Sequence, residues 1–295
     1  MTIMQKIAIL MTVFNRRQKT FDCLESVYSG LDSFGGVEAD LYITDDGSTD
    51  GTREMLSKCF PGRNIAVIEG DGTLFWNGGM IAAWKAAIAH GGYDGYLWLN
   101  NDVIVKSNLW KELADADEYS LREYGKRGIY VGSLTDMSGE RLTYGGFDFV
   151  NKITLADRFV IPDGTFRRCE CAHGNITYVS REVVDSRGLF CEEYIHGGTD
   201  HDYTYLAGKA GFPLLVLREY VGLCDNDHKG SSIIMSDMKL KERIAFLRSP
   251  HGLNLHNTLL FQKRCFPWRV PFAWIASYAK AIAPRAVYCL KKLMK

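Results

Sequence analysis

The sequence predicts an α/β fold: a mostly parallel, Rossmann-like central sheet flanked by helices, with a helical extension at the C-terminus. Three observations predict it. Continuous apolar runs such as residues 6–13 alternate with stretches of helical period, and unbroken runs of this kind suit strands buried on both faces. Two of these runs end abruptly in polar groups, Thr44-Asp45-Asp46 and Leu99-Asn100-Asn101-Asp102, at the sheet edge where open parallel sheets place their ligands. A chain of 295 residues, 46% hydrophobic and 24% charged, can bury the core of one large domain with an appendage.

Taken in order, KIAILMTV at 6–13 forms the first, central strand. It runs into Thr12-Val13-Phe14-Asn15-Arg16 without the glycine-rich turn of a dinucleotide fold, which disfavours a dehydrogenase. A helix is expected over about 19–28, with Phe21, Leu24, Val27 and Tyr28 inward. The second strand, 39–44, enters Asp45-Asp46-Gly47-Ser48-Thr49-Asp50-Gly51-Thr52, with a helix starting near Asp50. Ser48 to Asp50 suffice for a turn and cap; the two preceding carboxylates add an acceptor-rich rim beside a helix N-terminus.

The third strand, 64–68, leads to the glycine-rich stretch 70–79 and a helix with Met80, Ile81, Trp84 and Ile88 on one stripe. Trp76 reads equally as packing or as part of a site. The fourth strand delivers Asn100, Asn101 and Asp102. A helix over 107–124, a strand over 128–134, and an alternating excursion over 141–162 suited to substrate contacts follow. After a polar step at Ala172–Asn175 comes another strand. Residues 191–203 concentrate acids at a helix start, and a strand over 213–217 precedes a polar loop holding His228, Lys229, Ser231 and Ser232.

Composition narrows the function. Net charge is zero, so a nucleic-acid partner is not expected, yet ten Lys or Arg and no Asp or Glu follow Glu242. The tail also carries Trp268, Phe272, Trp274, Ile275 and Tyr278. It suits an anionic membrane surface, or a helix packed on the domain with a solvated basic face. Eight cysteines without a CxxC pair fit a reducing cytosol rather than a disulfide framework. Cys169-x-Cys171-x-His173 lacks a fourth metal ligand nearby and reads as small buried side chains. The N-terminal apolar run has no small-residue cleavage site and is too short for a bilayer, and no later run reaches spanning length. The expected location is cytoplasmic, or peripheral on the inner membrane face.

In combination, the strand end TVFN, ITDDGSTDGT about thirty residues later, and a strand ending in NND resemble family 2 of the glycosyltransferases with the GT-A fold, over roughly residues 5–230. The resemblance implies that Thr12, Phe14, Asn15, Asp45 and Asp46 cradle the donor nucleotide, and that Asn77, Gly78, Gly79, Asn100, Asn101 and Asn175 contribute further donor contacts. It implies Asp102 and His228 as partners of Mn²⁺ or Mg²⁺, with Asp200 on the general-base position and Asp202 on the second acid. Two departures stand out: Asn100 where an acid is usual, and Thr199 where the family has Glu. Asp102 alone, with diphosphate oxygens and waters, suffices for such a cation.

The expected organisation is a catalytic domain over 1–240, with a nucleotide-binding half at about 1–105 and an acceptor half at 106–240, then the basic extension 241–295. The expected function is inverting, metal-dependent transfer from a UDP- or dTDP-sugar, such as rhamnose or galactofuranose, to a lipid-linked or growing bacterial surface polysaccharide. Two other readings stay open: a nucleotide-sugar or glycan-binding subunit that lost catalysis, and a metal-dependent hydrolase built on Asp200, Asp202 and His228.

Overall fold

Strand β1 (Lys6–Val13) is the axis of the sheet. Its run hides an alternation: Ile7, Ile9, Met11 and Val13 enter one core, and Ala8 and Leu10 the other. Both faces are therefore covered, as a parallel sheet requires. The computed structural model describes residues 4–226, 235, 237–250 and 252–287.

The first half winds as β1, α1 (Arg17–Phe34), β2 (Glu38–Asp45), α2 (Thr52–Cys59), β3 (Ile65–Glu69), α3 (Phe75–His90) and β4 (Gly95–Leu99). The second comprises β5 (Ile104–Val105), α4 (Leu109–Tyr124), β6 (Ile129–Thr135), β7 (Leu142–Tyr144), β8 (Gly146–Asn151), β9 (Ala156–Phe159), β10 (Arg167–Arg168), β11 (Cys171–Ala172), β12 (Ile176–Ser180), α5 (Arg181–Arg187), α6 (Thr199–Lys209) and β13 (Leu214–Leu223). The extension carries α7 (Leu240–Arg248), α8 (Leu255–Cys265), a 3₁₀ turn (Pro267–Arg269) and α9 (Val270–Ile282). Helix α1 is longer at both ends than its apolar stripe predicts, closing on Gly35 with φ 67°.

The main sheet runs β10-β13-β6-β12-β4-β1-β2-β3, with β5 on β13 and β7 on β6. Strands β3, β2, β1 and β4 are mutually parallel, and the order reverses between β1 and β4. That reversal opens a crevice at their carboxyl ends. Strand β12 is inserted antiparallel between β4 and β6, with Ile176 opposite Leu99. The loop entering β12 therefore meets the loop leaving β4. The excursion forms a separate three-stranded sheet, β11-β8-β9.

One core lies under α1, α2 and α4, and the other gathers Met80, Trp84, Trp98, Phe190 and Tyr203 beneath α3 and α6. Helix α3 comes close to β1 at Gly79, where a Cβ would stand 2.4 Å from the Thr12 methyl. The extension is docked on α6: the Phe266 and Tyr205 rings lie 4.8 Å apart, and Arg264 Nε donates to Asp202 Oδ1 at 2.8 Å.

Candidate active site

The crevice is a cavity of about 740 Å³. Its walls come from three stretches: the β1 exit (Thr12, Val13, Phe14, Arg16), the β4 exit (Asn100, Asn101, Asp102) and the β12 entrance (His173, Gly174, Asn175). Phe75 and Trp76 from the start of α3, Asp200 and His201 from the start of α6, and Asp46, Tyr144 and the 196–198 loop also line it.

The β1 exit is fixed by the loop after β2. Asn15 sits at φ 50°, a left-handed conformation that asparagine tolerates better than most residues. Its N–H donates to Ser48 Oγ at 3.0 Å, and its Oδ1 accepts from Thr49 N–H at 2.8 Å. Arg17 N–H donates to Asp50 at 2.8 Å, so DDGSTD pins the turn that presents Phe14 and Arg16. The Asp46 carboxylate is cavity-lining and engaged on both oxygens, accepting from Gly72 N–H at 2.8 Å and Phe75 N–H at 3.0 Å. This bond holds Phe75 at φ 53°, a strained backbone for a bulky residue, directly on the cavity wall.

At the β4 exit, Asn100 Oδ1 accepts from the Trp76 indole N–H at 2.9 Å, fixing that ring beside Gly174. Asn101 is buried and donates to Thr20 Oγ1 at 3.0 Å. Asp102 Oδ2 accepts from Arg16 Nη1 at 2.8 Å, with side-chain exposures of 23% and 51%. An exposed pair of this kind contributes about 0.2–1 kcal/mol. Burial, with Asp102 adding, pushes the Cys224 thiol beside it up to about 12.

The β12 entrance links the β4 exit to the start of α6. Asn100 N–H donates to Asn175 O at 3.0 Å, and Gly174 N–H donates to Asp200 Oδ2 at 2.9 Å. A Cβ on Gly174 would stand 3.2 Å from Asp200 and 3.0 Å from Trp76. Asp200 Oδ1 also accepts from His201 N–H at 2.9 Å. Asp200 lies in the first turn of α6, where a carboxylate opposes the helix dipole favourably. Beside it, His173 is held by burial, and by neighbouring His201, down to about 4, against the opposing pull of Asp200. Its Nδ1 lies 3.0 Å from Gly145 O; a carbonyl only accepts, so the proton sits on Nδ1 and Nε2 is left as an acceptor. The extension supports the remaining wall: Asn257 Nδ2 donates to His196 O at 2.6 Å and Gly197 O at 2.9 Å.

Of the expected site residues, Thr12, Phe14, Asp46, Asn100, Asn101, Asp102, Asn175 and Asp200 converge on this cavity. Six lie off its wall. Asn15 shapes the turn as described. Asp45 is buried, accepting from Ser48 N–H at 2.9 Å and Arg53 Nε at 2.7 Å. Asn77 donates to Cys191 O at 3.0 Å and Tyr194 O at 2.8 Å, tying that loop to α3. Gly79 serves the approach of α3 to β1, and Gly78 borders a shallower groove with Lys85 and Glu192. Asp202 is buried against Arg264 and joins α6 to α8. His228, Lys229, Ser231 and Ser232 lie outside the described residues.

Sequence reasoning missed Arg16, Phe75, Tyr144, His173, His196 and His201 as cavity residues. Two had a signal, since Arg16 directly follows TVFN and His201 lies between the chosen acids. Cys169 and Cys171 are buried, and no group of three or more His, Cys, Asp or Glu able to hold a metal exists among the described residues.

Electrostatics limit what this cavity accepts. Its described lining carries three carboxylates, Asp46, Asp102 and Asp200, against one guanidinium, Arg16. A doubly charged anion would meet net repulsion here without an added cation. Asp102 is a hard oxygen donor with part of its surface open, so the donor set fits a Mg²⁺- or Mn²⁺-type ion that takes most ligands from substrate and water.

The model of the family described as Glycosyl transferase family 2 matches residues 8–170. Comparison with curated proteins gives no match. Among solved structures, a mannosyltransferase from Pyrobaculum calidifontis in complex with GDP-Man and Mn²⁺ is 15% identical, with TM-score 0.53 over 99% of this chain and 81% of that one. S. aureus TarS 1-349 in complex with UDP is 13% identical, with TM-score 0.57 over 99% and 92%. The same protein in complex with UDP-GlcNAc gives 14%, 0.54, 95% and 81%. At these identities the likeness is one of fold.

Proposed function

Because the chain belongs to glycosyl transferase family 2 and has the GT-A fold, we propose that this glycosyltransferase is inverting and metal-dependent, moving a sugar from a UDP- or dTDP-sugar to a lipid-linked or growing bacterial surface polysaccharide such as O-antigen or capsule. The sugar we favour is rhamnose, galactofuranose or a related hexose. The single observation that carries the reading is the coupling of the β4 exit to Asp200 through consecutive residues Asn175 and Gly174. Nucleotide-sugar and Mn²⁺ in the complexes of the fold neighbours support it.

In this reading Phe14 and Thr12 border the nucleotide, and Asp46 fixes the loop that carries Phe75. Trp76, held by Asn100, offers a flat face to a sugar ring. Asp200, gripped by two backbone N–H groups, accepts the proton of the acceptor hydroxyl as its oxygen bonds to the anomeric carbon. The bond from that carbon to the diphosphate breaks on the opposite face. Asp102, with His228 as a further ligand, would hold the divalent cation, which when bound offsets charge growing on the leaving diphosphate. Asp202, spent on Arg264, is an anchor in this scheme, which tells against a hydrolase built on Asp200, Asp202 and His228.

The test is transfer from UDP- and dTDP-sugars with and without Mn²⁺. Asp200→Asn keeps an acceptor for Gly174 N–H and is expected to lower turnover by roughly 10²- to 10⁴-fold with donor binding retained. Unchanged turnover would overturn the assignment. The Asp102–Arg16 pair also favours a second reading, a binding subunit without catalysis; tight UDP binding with no transfer to any acceptor would support it.

For the acceptor, α9 and the turn before it leave Trp268, Phe272, Trp274, Ile275 and Ile282 exposed beside Lys280 and Arg285. No helix among the described residues is long and apolar enough to cross a membrane. An interfacial helix that brings the site to lipid-linked substrate on the inner membrane face fits this surface. Co-sedimentation with anionic liposomes, lost on truncation before Pro267, tests it.

A further inference from the structure

Arg16 is the one permanent cation among the described residues of the cavity wall, and it is committed to one carboxylate of three. The choice of carboxylate is informative. Asp46 is satisfied by two backbone N–H groups, and Asp200 by two others. Asp102 depends on Arg16, at 2.8 Å, with a distant Cys224 thiol at 3.8 Å. The Arg16 backbone is fixed, since its carbonyl accepts both Thr20 N–H and Thr20 Oγ1–H at 2.9 Å, and its neighbours are pinned by Ser48, Thr49 and Asp50. Its side chain is half exposed, so the root is rigid and the guanidinium has room to swing.

We propose that Arg16 is an exchange residue: it covers Asp102 in the empty site and transfers to a phosphate oxygen of an arriving nucleoside diphosphate, leaving Asp102 free for a divalent cation only when the nucleotide is present. This rests on the donor-site reading above. A guanidinium and a divalent ion cannot share one partly exposed carboxylate without mutual repulsion. A diphosphate resolves the conflict, because its oxygens accept paired N–H donors in the same fork geometry as a carboxylate. Nucleotide and cation binding then become thermodynamically coupled, each strengthening the other by the same factor. The empty enzyme would hold little metal, and the cation would enter together with the group that needs it.

The test is Mn²⁺ binding to the full-length protein, followed by the electron paramagnetic resonance of free Mn²⁺, with and without UDP and without turnover. Wild type is expected to bind Mn²⁺ about tenfold or more tightly with UDP than without, a usual size for coupled sites. Arg16→Gln, at an exposed position, is expected to bind Mn²⁺ more tightly than wild type without UDP, to bind UDP more weakly, and to show a smaller coupling, the part that remains coming from direct ligation of the ion by the diphosphate. Arg16→Lys, which keeps the charge without the fork, is expected to fall between. If Arg16→Gln leaves both the UDP-free Mn²⁺ affinity and the coupling unchanged, the exchange is overturned while the donor site stands. If wild type binds none of UDP, dTDP and GDP at any Mn²⁺ concentration, the donor-site reading fails and the exchange fails with it.

Discussion

Replacing Asp202 separates two roles that a family pattern would merge. Its carboxylate is 3% exposed and accepts from Arg264 Nε at 2.8 Å, and the Cys265 thiol donates to the same oxygen at 3.5 Å. Removing one partner of a buried pair costs about 3–5 kcal/mol because the other charge is stranded. Arg264 is 34% exposed and can reach water, which brings the expected loss for Asp202→Asn to roughly 2–3 kcal/mol. For a chain of this size that is a fall of roughly 3–5 °C in Tm, read by circular dichroism. The double variant Asp202→Asn/Arg264→Met, with no stranded cation, should recover part of it. Below its own transition Asp202→Asn should keep UDP–Mn²⁺ affinity and donor turnover within a few-fold of wild type. A wild-type Tm combined with a hundredfold loss of turnover would refute the argument and return Asp202 to the chemistry.

Three further outcomes follow from contacts described above. His173 is held near 4, below the ordinary 6.5, so the unfolded chain binds its proton first on acidification. Its contribution is present above pH 6.5 and is lost as pH falls toward 4, up to about 3 kcal/mol; urea unfolding of His173→Asn should show a shallower acid loss, and an identical pH slope would contradict this. Gly79→Ala brings a Cβ to 2.4 Å from the Thr12 methyl and should cost about 1–3 kcal/mol in overpacking, partly regained with Thr12→Ser; an unchanged denaturation midpoint would show that α3 shifts freely. Asn100→Asp keeps an acceptor for Trp76 and adds charge beside Asp102, so Mn²⁺ in the presence of UDP should bind roughly tenfold more tightly; unchanged affinity would separate Asn100 from the cation site.

The first half of the fold was legible because each strand from β1 to β4 is a short apolar run bounded by turn residues, and each helix between them has its own stripe. The direction of β12 was not legible, since a buried strand reads the same parallel or antiparallel. Its reversal brings Gly174 to Asp200 and Asn175 to Asn100. Thr12, Phe14 and Asp46 were legible as cavity residues through the resemblance of TVFN and DDGSTD to family motifs, and Asp102 as a carboxylate at a strand end. Asp45, adjacent to Asp46, faces Arg53 because side chains alternate along a strand. His173 and His201 could not be paired from sequence, as their rings meet at 4.9 Å only through packing of α6 on β11. The role of α8 was hidden for the same reason: Asn257 reaches His196 and Gly197 across the join with the extension.

The insertion of β12 between β4 and β6 also sets when the site comes into being. The β1–α1–β2 and β2–α2–β3 units close over short sequence distances and can form early. The pairing of Leu99 with Ile176 must close a far longer loop, a step that is paid in chain entropy before it is rewarded and is therefore slow. On a ribosome, the chain through β4 emerges before the strand that brings Gly174 to Asp200 exists. A nascent or half-folded chain can thus present the β1 and β4 exits without Gly174 to hold Asp200 against them. Completion of the sheet and assembly of the cavity are the same event.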